Sequence, residues 1–340
     1  MVPGCWQDVG VSADDVMALP LAFGGQRLDW RDLPRTVRER IESLAGARVT
    51  AEMSATSGFS PGFCAVLELT DGRAVFVKAV SSDQNPHSPE LARAEIRAAR
   101  ALPPQVPAPA LRWWDDDGHW VLLGFDAVHG RSPELPWRAD DLALVLAALD
   151  DLARCEPVAG HELPRTEDLL ADDFTGWQSM LRATPAQREL VAERIDEPGR
   201  WALEHLDDLV RWEQRSLQVC AGDTLVHGDL RADNVMIEEG HDRVWLIDWP
   251  HASVGAPWID LAFMLPSIAL QGGAGDPAWL FAQHQPSDGV GIDDLRAALA
   301  GLAGYFAWSS GQPAPPGIPN LRAFQAAQAG ATLRWLRDLS

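Results

Sequence analysis

The sequence is poor in cationic residues: 28 lysines and arginines stand against 49 aspartates and glutamates, a formal net charge of −21 at pH 7. Such a charge repels nucleic-acid phosphates and anionic membrane surfaces, and it favours cationic small molecules as ligands. An acidic surface also aids solubility, and this simpler explanation of the charge stays open. In either case we expect no nucleic-acid partner and no membrane partner.

Cysteine is also scarce, and its four positions (Cys5, Cys64, Cys155 and Cys220) are scattered without a CxxC pair. This spacing argues against a zinc cluster and predicts a reduced protein without structural disulfides. The first residues contain neither the basic nor the apolar region of a secretory leader, and no apolar run approaches the roughly 20 residues of a membrane-spanning helix. The sequence therefore predicts a cytoplasmic protein.

Hydrophobic residues make up 46% of the 340 residues and charged residues 23%, which is typical of a folded protein with room for two lobes. Five strands are predicted. The first begins near residue 51, and the others span residues 63–69, 74–80, 110–114 and 119–123. Asp71-Gly72 lies between two of these apolar runs and is typical of a β-hairpin turn. One helix, over 88–102, lies among the strands.

Helices dominate the chain after residue 125. They are predicted at 139–154, 165–181, 185–195, 200–216, 276–284, 293–308 and 320–339. One short hairpin, built from apolar runs at 225–237 and 244–249, interrupts them. This order is typical of an α+β, bilobal protein-kinase-like fold, with a small five-stranded antiparallel sheet and one helix followed by a larger, mainly helical lobe. The predicted division is an N-terminal extension with a helix (1–47), an N-lobe (48–125) and a C-lobe (126–340).

The short hairpin contains the most informative residues of the sequence. Its first run reads Leu225-Val-His-Gly-Asp-Leu-Arg-Ala-Asp-Asn-Val-Met-Ile237, and its second reads Val244-Trp-Leu-Ile-Asp-Trp249. A base (Asp229), an amide oxygen (Asn234) and a carboxylate (Asp248) at neighbouring strand ends are what phosphoryl transfer from a magnesium nucleotide requires. A polar turn would explain Asp229 or Asn234 alone, but it does not explain Asp248 at the end of the next run.

His227-Gly-Asp-Leu-Arg-Ala-Asp-Asn234 resembles the aminoglycoside phosphotransferase and choline-kinase-like family of small-molecule kinases. That family has His-Gly-Asp where protein kinases usually have His-Arg-Asp. Ile247-Asp-Trp249 and the downstream Asp260-Leu-Ala262 resemble the same family, and the likeness extends over residues 48–340.

The resemblance implies a role for each matching residue. Asp229 would accept, or simply orient, the proton of the acceptor hydroxyl as the hydroxyl attacks the γ-phosphorus. Asn234 and Asp248 would coordinate Mg²⁺, since both supply the oxygen ligands that this hard cation prefers. His227 would orient the catalytic loop, and Asp260 would hold that loop from the helix that follows.

Lys78 lies inside the apolar run 74–80, where an unpaired lysine is costly to bury. The resemblance implies that its partners are the α/β-phosphates of the nucleotide and a glutamate on a helix. We assign that partner to Glu95, which shares a helix face with apolar residues, and keep Glu90 as the second candidate. The alternative, a lysine that faces solvent from an edge strand, would leave Phe76 exposed.

Two further segments are assigned to the nucleotide. A small-residue loop directly precedes the hairpin of Lys78 and would contact phosphate, although an ordinary turn is the alternative. Its candidate contacts are Ser57, Gly58 and Ser60. The connector after the fifth strand would bind the purine through the backbone of Phe125 and Ala127, in the manner of a kinase hinge. Because backbone groups bind the base there, ATP and GTP both fit the prediction.

Only residues 249–259 separate Asp248 from Asp260, which leaves no activation segment for a peptide substrate. The predicted acceptor is therefore a small hydroxylated molecule that enters a pocket among the C-lobe helices. Carboxylates near aromatic rings would suit a cationic amine through ion pairing and cation–π contact, whereas packing alone would explain the same residues without a ligand. The candidate pocket residues are Asp172, Asp173, Trp177, Trp258, Asp276 and Trp279.

The predicted function is ATP- or GTP-dependent O-phosphotransfer, with Mg²⁺, to a hydroxyl of a small molecule. The resemblance makes an antibiotic the leading acceptor, and a metabolite such as homoserine, a sugar or an amino alcohol would undergo the same chemistry. A non-catalytic, kinase-like nucleotide-binding protein is an alternative, although Lys78, Asp229, Asn234 and Asp248 are all present. A protein kinase is disfavoured by the short segment after Asp248.

Overall fold

The computed structural model describes residues 27–55, 61–240, 243–273 and 275–339. Its N-terminal part contains six strands: β1 (Arg27–Leu28), β2 (Val49–Ser54), β3 (Gly62–Leu69), β4 (Ala74–Ser81), β5 (Leu111–Asp116) and β6 (Trp120–Asp126). They form one sheet with the order β1-β3-β4-β6-β5, and β2 also pairs with β3. β4 therefore lies in the middle of the sheet, between β3 and β6.

The predicted sheet needs one correction. Strands β2 to β6 pair antiparallel, as the sequence predicts. β1 adds a sixth strand that runs parallel to the start of β3, with Arg27 opposite Gly62, so the sheet is mixed and not strictly antiparallel. β1 has only two residues, which is too short for an alternating pattern to reveal it in the sequence.

Two helices cover opposite faces of the sheet, α1 (Arg35–Ala45) and α2 (Ser88–Ala101). Because successive side chains of a strand point to opposite faces, Val77 joins the core under α1 whereas Val80 packs with α2. Ile41 of α1 is fully buried in the first of these cores. The helix that the sequence assigns to an N-terminal extension thus packs on the sheet, and two helices cover the sheet where one was predicted.

The rest of the chain is mainly helical. Its helices are α3 (Ala139–Leu152), α4 (Thr166–Leu169), α5 (Gly176–Arg182), α6 (Pro185–Ile195), α7 (Glu197–Glu204), α8 (Leu206–Cys220), α9 (Ile259–Gln271), α10 (Pro277–Gln283), α11 (Ile292–Ser310) and α12 (Leu321–Asp338). They enclose one large hydrophobic core, in which α11 packs against both α8 and α12. Among the described helices, none combines the length and the apolar character that a membrane crossing requires.

Short strands position the catalytic motif within this helical part. They are β7 (Gly130–Arg131), β8 (Thr224–Val226), β9 (Val235–Glu238), β10 (Val244–Leu246) and β11 (Ser253–Gly255). β9 pairs antiparallel with β10, which confirms the predicted hairpin, and β8 pairs antiparallel with β11. Residues 227–234 therefore connect β8 to β9 at the same end at which residues 247–252 connect β10 to β11, so the two polar loops face each other.

Two predicted helices are interrupted by contacts that a local pattern does not contain. The predicted helix 165–181 divides into α4 and α5, and α5 begins at Gly176, where a Cβ atom would lie 1.9 Å from the carbonyl oxygen of Gly304 on α11. The predicted helix 200–216 divides at His205, whose ring stacks on Trp201 and bonds the Trp201 carbonyl at 2.9 Å. Local periodicity does not predict the bounds of helix α9, because this helix is buried on nearly all sides and lacks a polar face.

Candidate active site

The turn after β8 requires glycine at Gly228. This residue has a φ of 81°, in the left-handed region that residues with a Cβ atom rarely adopt. A Cβ atom there would also lie 2.6 Å from the backbone carbonyl oxygen of His251. The loop of Asp229 thus packs directly on the loop that follows Asp248, which brings the two halves of the motif together.

Two buried side chains hold this turn. Asp260, in the first turn of α9, accepts hydrogen bonds from the backbone N–H groups of His227 and Gly228 at 2.7 and 2.9 Å. The His227 ring donates from Nε2 to the carbonyl of Ile247 at 3.0 Å, and its Nδ1 accepts from the backbone N–H of Asp229 at 3.3 Å. Burial lowers the pKa of His227 to about 4, so the ring is neutral at physiological pH. Burial raises the pKa of Asp260 to about 6, although both N–H groups favour its charged form.

Asp229 and Asn234 are held together by the Asn234 side chain. The amide Nδ2 donates to the backbone carbonyl of Asp229 at 2.7 Å and to the Asp229 carboxylate at 3.1 Å. These bonds fix the amide and leave its oxygen as a ligand for a cation. Arg231 donates a further hydrogen bond to the Asp229 carboxylate. Burial raises the pKa of Asp229, while the charge of Arg231 acts to lower it.

The second half of the site is an ion-pair network around Lys78 on β4. Its Nζ donates to both carboxylate oxygens of Glu95 on α2, at 2.7 and 2.8 Å, and to one oxygen of Asp248 at 2.7 Å. The predicted pairing of Lys78 with Glu95 is confirmed, and Glu90 is exposed in the first turn of α2. Because the Lys78 side chain is only 17% exposed, the solvent-facing alternative is wrong.

The charges of this network set the protonation states of its members. Burial acts to lower the pKa of Lys78, but the charges of Asp248 and Glu95 raise it. Burial alone would raise the pKa of Asp248, yet Lys78 lowers it to about 2. Asp248 also has a φ of 68°, a strained conformation that costs about 1–3 kcal/mol and is often found at functional sites. Lys78 and Asp248 are therefore both charged at physiological pH.

Asn234 and Asp248 offer oxygen ligands to a divalent cation from adjacent ends of β9 and β10. The backbone N–H of Ile247 donates to the carbonyl of Asn234 at 3.0 Å, and Lys78 bonds only one of the two Asp248 carboxylate oxygens. Within the described ranges no group of three or more His, Cys, Asp or Glu side chains is suited to a metal. Mg²⁺ commonly takes one or two protein oxygens and completes its shell with phosphate and water, so Asn234 and Asp248 fit this cation.

The predicted nucleotide contacts in the sheet are only partly placed. Ser57, Gly58 and Ser60 lie outside the described residues. Phe125 lies within β6 with its side chain buried in the core beneath α2, and Ala127 directly follows the end of β6. For both residues, the backbone and not the side chain stays the candidate contact.

The predicted acceptor pocket is wrong at two tryptophans. Trp177 has no exposed surface, and its Nε1 donates to the carbonyl of Ala300 at 2.8 Å. Trp258 is buried and packs edge-on against Phe281. Large apolar rings are stabilised by such burial, and their N–H groups find partners inside the protein. Neither side chain is accessible to a substrate.

Of the other predicted pocket residues, Asp173 shares an electrostatic neighbour with Asp229. Burial raises the pKa of Tyr305 to about 12, and the negative charges of both carboxylates act in the same direction. Asp172 and Asp173 lie in the exposed turn before α5. Asp276 instead caps α10 by accepting from the backbone N–H of Trp279 at 2.8 Å, and Trp279 is 57% exposed. In the described part of the chain, no hydrogen bond, ion pair or ring contact joins Asp276 or Trp279 to Asp229.

Sequence reasoning missed Arg231 and His251, whose charges oppose the effect of burial on the pKa of Asp229, and it missed Tyr305, whose own pKa is raised by burial and by Asp229. Arg231 could have been found, because it lies inside the motif two residues after a carboxylate. Tyr305 comes from α11, more than 70 positions after Asp229, and nothing in the local pattern marks it. A further signal was overlooked: Lys78 is the only lysine in the chain.

Comparisons with known proteins agree with this geometry. The phosphotransferase enzyme family (APH) matches the sequence over residues 57–313. No curated protein sequence matches the chain. The structure is similar to spectinomycin phosphotransferase, solved with ADP and spectinomycin, at 11% identity and a TM-score of 0.55, covering 90% of this chain and 98% of that one.

Two further solved structures are similar. Aminoglycoside 2′-phosphotransferase-IIIa, solved with GDP, is 16% identical with a TM-score of 0.52, and 90% of this chain and 98% of that chain are covered. The ethanolamine kinase of Plasmodium vivax is 11% identical with a TM-score of 0.51, and 86% of this chain and 84% of that chain are covered. These likenesses confirm the predicted α+β, protein-kinase-like fold.

Proposed function

From the premise that this chain belongs to the phosphotransferase enzyme family and is a small-molecule kinase, we propose that it transfers the γ-phosphate of ATP or GTP to a hydroxyl of a small cationic molecule. The observation that carries the proposal is the meeting of three groups: the Asp229–Asn234 pair and Asp248 on facing loops, and the Lys78 ammonium from β4. Each group has a separate task in phosphoryl transfer.

The nucleotide and its metal are proposed to bind between Lys78 and the motif loops. Lys78, oriented by Glu95, would contact the α- and β-phosphates, while Asn234 and Asp248 would hold Mg²⁺, which neutralises phosphate charge. The backbone at Phe125 and Ala127 is proposed to bind the purine. Similar structures with ADP and with GDP support nucleotide use and leave both ATP and GTP as donors.

Asp229 is the proposed catalytic base. The acceptor oxygen forms a bond to the γ-phosphorus while the bond between that phosphorus and the β–γ bridging oxygen breaks, and its electron pair stays on the nucleoside diphosphate. The hydroxyl proton passes to the Asp229 carboxylate. His227 and Asp260 support this step by holding the Asp229 turn through the hydrogen bonds to its backbone.

The acceptor is proposed to be small because the segment between Asp248 and Asp260 is short and structured. It contains β11, which pairs with β8, and it therefore offers no flexible segment that could dock a peptide. The proposed location is the cytoplasm, where the nucleoside triphosphate that the reaction consumes is available.

A hydroxylated amine is the proposed acceptor class, with an antibiotic as the first candidate. We take the carboxylate of Asp173 as the candidate partner of that amine, because Asp173 and Asp229 share Tyr305 and His251 as electrostatic neighbours. The net charge of −21 favours the same class. Amino alcohols are the second candidate, since the similar ethanolamine kinase is named for one.

A phosphorylation screen tests the proposal. The protein is incubated with Mg-ATP or Mg-GTP and with aminoglycoside, nucleoside and peptide antibiotics, amino alcohols, homoserine and sugars, and mass spectrometry detects the addition of one phosphoryl group. Asp229→Asn should lower turnover by about 10²- to 10⁴-fold while nucleotide binding persists, because it removes the base alone. Asp223→Asn, at an exposed position, is the matched control and should be fully active.

Two results would reject the proposal. Full turnover by Asp229→Asn would exclude Asp229 as the base. Nucleotide binding without phosphorylation of any acceptor would favour a non-catalytic nucleotide-binding protein instead.

A further inference from the structure

Arg231 lies inside the motif, beside the proposed base. Its side chain is 16% exposed, and its guanidinium donates from one terminal nitrogen to the carboxylate of Asp229. The Nε and the other terminal nitrogen donate to Asp233 at 3.0 and 3.1 Å. The ring of Phe324 on α12 lies 5.4 Å from the central guanidinium carbon. Two carboxylates and one ring thus fix this cation at the site.

The contact between Arg231 and Asp229 opposes the proposed task of Asp229. A carboxylate that accepts from a guanidinium is a weaker base, because the cation stabilises the charged form. The other oxygen of the same carboxylate accepts from the Asn234 amide at 3.1 Å. With both oxygens engaged, Asp229 is poorly prepared to accept a hydroxyl proton. Efficient transfer therefore requires Arg231 to release it.

A supporting role alone does not explain why position 231 is an arginine. The turn is already held by Asp260, which accepts two backbone N–H groups, and by the Asn234 amide. Asp233 and Phe324 already hold the guanidinium, so the nitrogen that bonds Asp229 is not needed to keep Arg231 in place. The proposed reaction brings one further anion to Asp229, the transferring phosphoryl group.

We propose that Arg231 is a second catalytic residue: when the nucleoside triphosphate binds, the hydrogen bond of one guanidinium nitrogen is exchanged from Asp229 to the terminal phosphoryl group. This inference rests on the proposed function and adds that phosphate arrival itself releases the base. Asp233 holds the Nε edge of the guanidinium and Phe324 covers its face, so the rigid plane can tilt about that edge and move its third nitrogen away from Asp229.

The chemistry of the guanidinium suits this exchange. Its planar fork of donors matches phosphoryl oxygens, and it stays protonated throughout. In the transfer step Arg231 gives up no proton and forms no covalent bond. It stabilises the negative charge on the phosphoryl oxygens while Asp229, released from the cation, takes the hydroxyl proton.

Nucleotide affinity provides a test that does not depend on turnover. Calorimetric titrations with Mg-ATP and Mg-ADP compare the wild type, Arg231→Gln and Arg231→Lys. We expect Arg231→Gln to lose about tenfold in ATP affinity relative to ADP affinity, since a charge-assisted hydrogen bond to the terminal phosphate is removed. Arg231→Lys keeps the charge and should retain part of the preference. Arg337→Gln removes an exposed arginine paired with Glu197 and should leave the ratio unchanged.

Kinetics provide a second readout. The kcat of Arg231→Gln should fall about 100-fold, as when one donor to a developing anion is removed. Arg231→Lys keeps the positive charge and should lose less of kcat. Because Arg231 is proposed to act on the phosphoryl group, the KM for the acceptor should change much less than kcat.

The outcomes separate this inference from the proposed function. An unchanged ATP-to-ADP affinity ratio in Arg231→Gln overturns the inference, and so does an unchanged kcat. A wild type that neither binds nucleotide nor phosphorylates an acceptor overturns the proposed function and the inference with it. Melting temperatures identify any variant that is misfolded. If Arg231→Gln does not fold, the ATP-to-ADP affinity ratio of Arg231→Lys is compared with that of the wild type instead.

Discussion

Replacing Lys78 with methionine tests whether the ion-pair network stabilises the site. Methionine keeps most of the apolar stem and removes the ammonium, which leaves Glu95 and Asp248, 6% and 34% exposed, without their cation. Removing one partner of a buried ion pair costs about 3–5 kcal/mol, because the remaining charge is uncompensated. Since Asp248 is partly exposed to water, we expect a loss at the lower end, about 3 kcal/mol of unfolding free energy.

The pH dependence of this loss identifies its cause. In the wild type, burial already raises the pKa of Glu95, and the charge of Lys78 opposes the rise. Without Lys78 the pKa rises further. A carboxyl group with a raised folded-state pKa gives stability below its unfolded pKa and loses it as the pH rises through the folded pKa. Lys78→Met should therefore cost less stability at pH 5 than at pH 8.

Denaturant unfolding followed by tryptophan fluorescence measures these free energies, since the chain has 15 tryptophans. The double variant Lys78→Met/Glu95→Gln should recover much of the loss, because a neutral pair contains no uncompensated charge. Lys78→Arg keeps the charge but forces a larger group into the site, at about 1–3 kcal/mol. Arg337→Met, which breaks an exposed pair with Glu197, should cost at most about 1 kcal/mol.

Two results would refute this reasoning about Lys78. The first is a loss of stability in Lys78→Met that does not change with pH. The second is a double variant whose loss equals the sum of the two single losses, which would mean that Lys78 and Glu95 do not interact energetically.

Two further substitutions test the turn and the core. Gly228→Ala should destabilise the protein by about 1–3 kcal/mol more than Gly240→Ala in thermal melts. The two glycines have nearly the same φ angle, 81° and 79°. A Cβ atom at Gly228 would contact the His251 carbonyl, whereas a Cβ atom at Gly240 would have no neighbour within 4 Å. Equal losses would contradict the close approach. Burial raises the pKa of Glu213 to about 7, although backbone N–H groups of Trp177 and Gln178 favour its charged form. Glu213 alone should therefore contribute about 3 kcal/mol of stability below pH 4.5 that is lost as the pH rises through 7. The difference in unfolding free energy between the wild type and Glu213→Gln should change with pH by that amount, and a difference that does not depend on pH would exclude this contribution.

The predictions that succeeded from sequence rest on short-range patterns. The hairpin that carries Asp229, Asn234 and Asp248 spans fewer than 30 residues, so the pairing of β9 with β10 was visible as two apolar runs around a polar loop. Glu95 could be chosen over Glu90 because a helix repeats its faces every 3.6 residues, and the apolar face of α2 had to meet the sheet.

The predictions that failed depended on contacts between distant segments. Trp177 was assigned to a pocket because a tryptophan near carboxylates resembles a cation site, but its partner is the carbonyl of Ala300 on α11. The start of α5 is fixed by Gly304, 128 residues beyond Gly176 along the chain. Tyr305, whose pKa is raised by burial and by Asp229, comes from that same helix. Local periodicity carries no information about such neighbours, because they arise only when the helices pack.

One signal of long-range geometry was nevertheless present in the composition. Lys78 is the single lysine of the chain, and all its other lysine or arginine positions are arginine. Arginine binds one carboxylate with a planar fork, whereas an ammonium presents three donors around a single atom. All three donors are used here, two on Glu95 and one on Asp248. These carboxylates come from two different elements, α2 and the loop after β10, and the ammonium joins them through a single nitrogen atom. The exception in the composition thus marks the residue that connects the sheet to the catalytic motif.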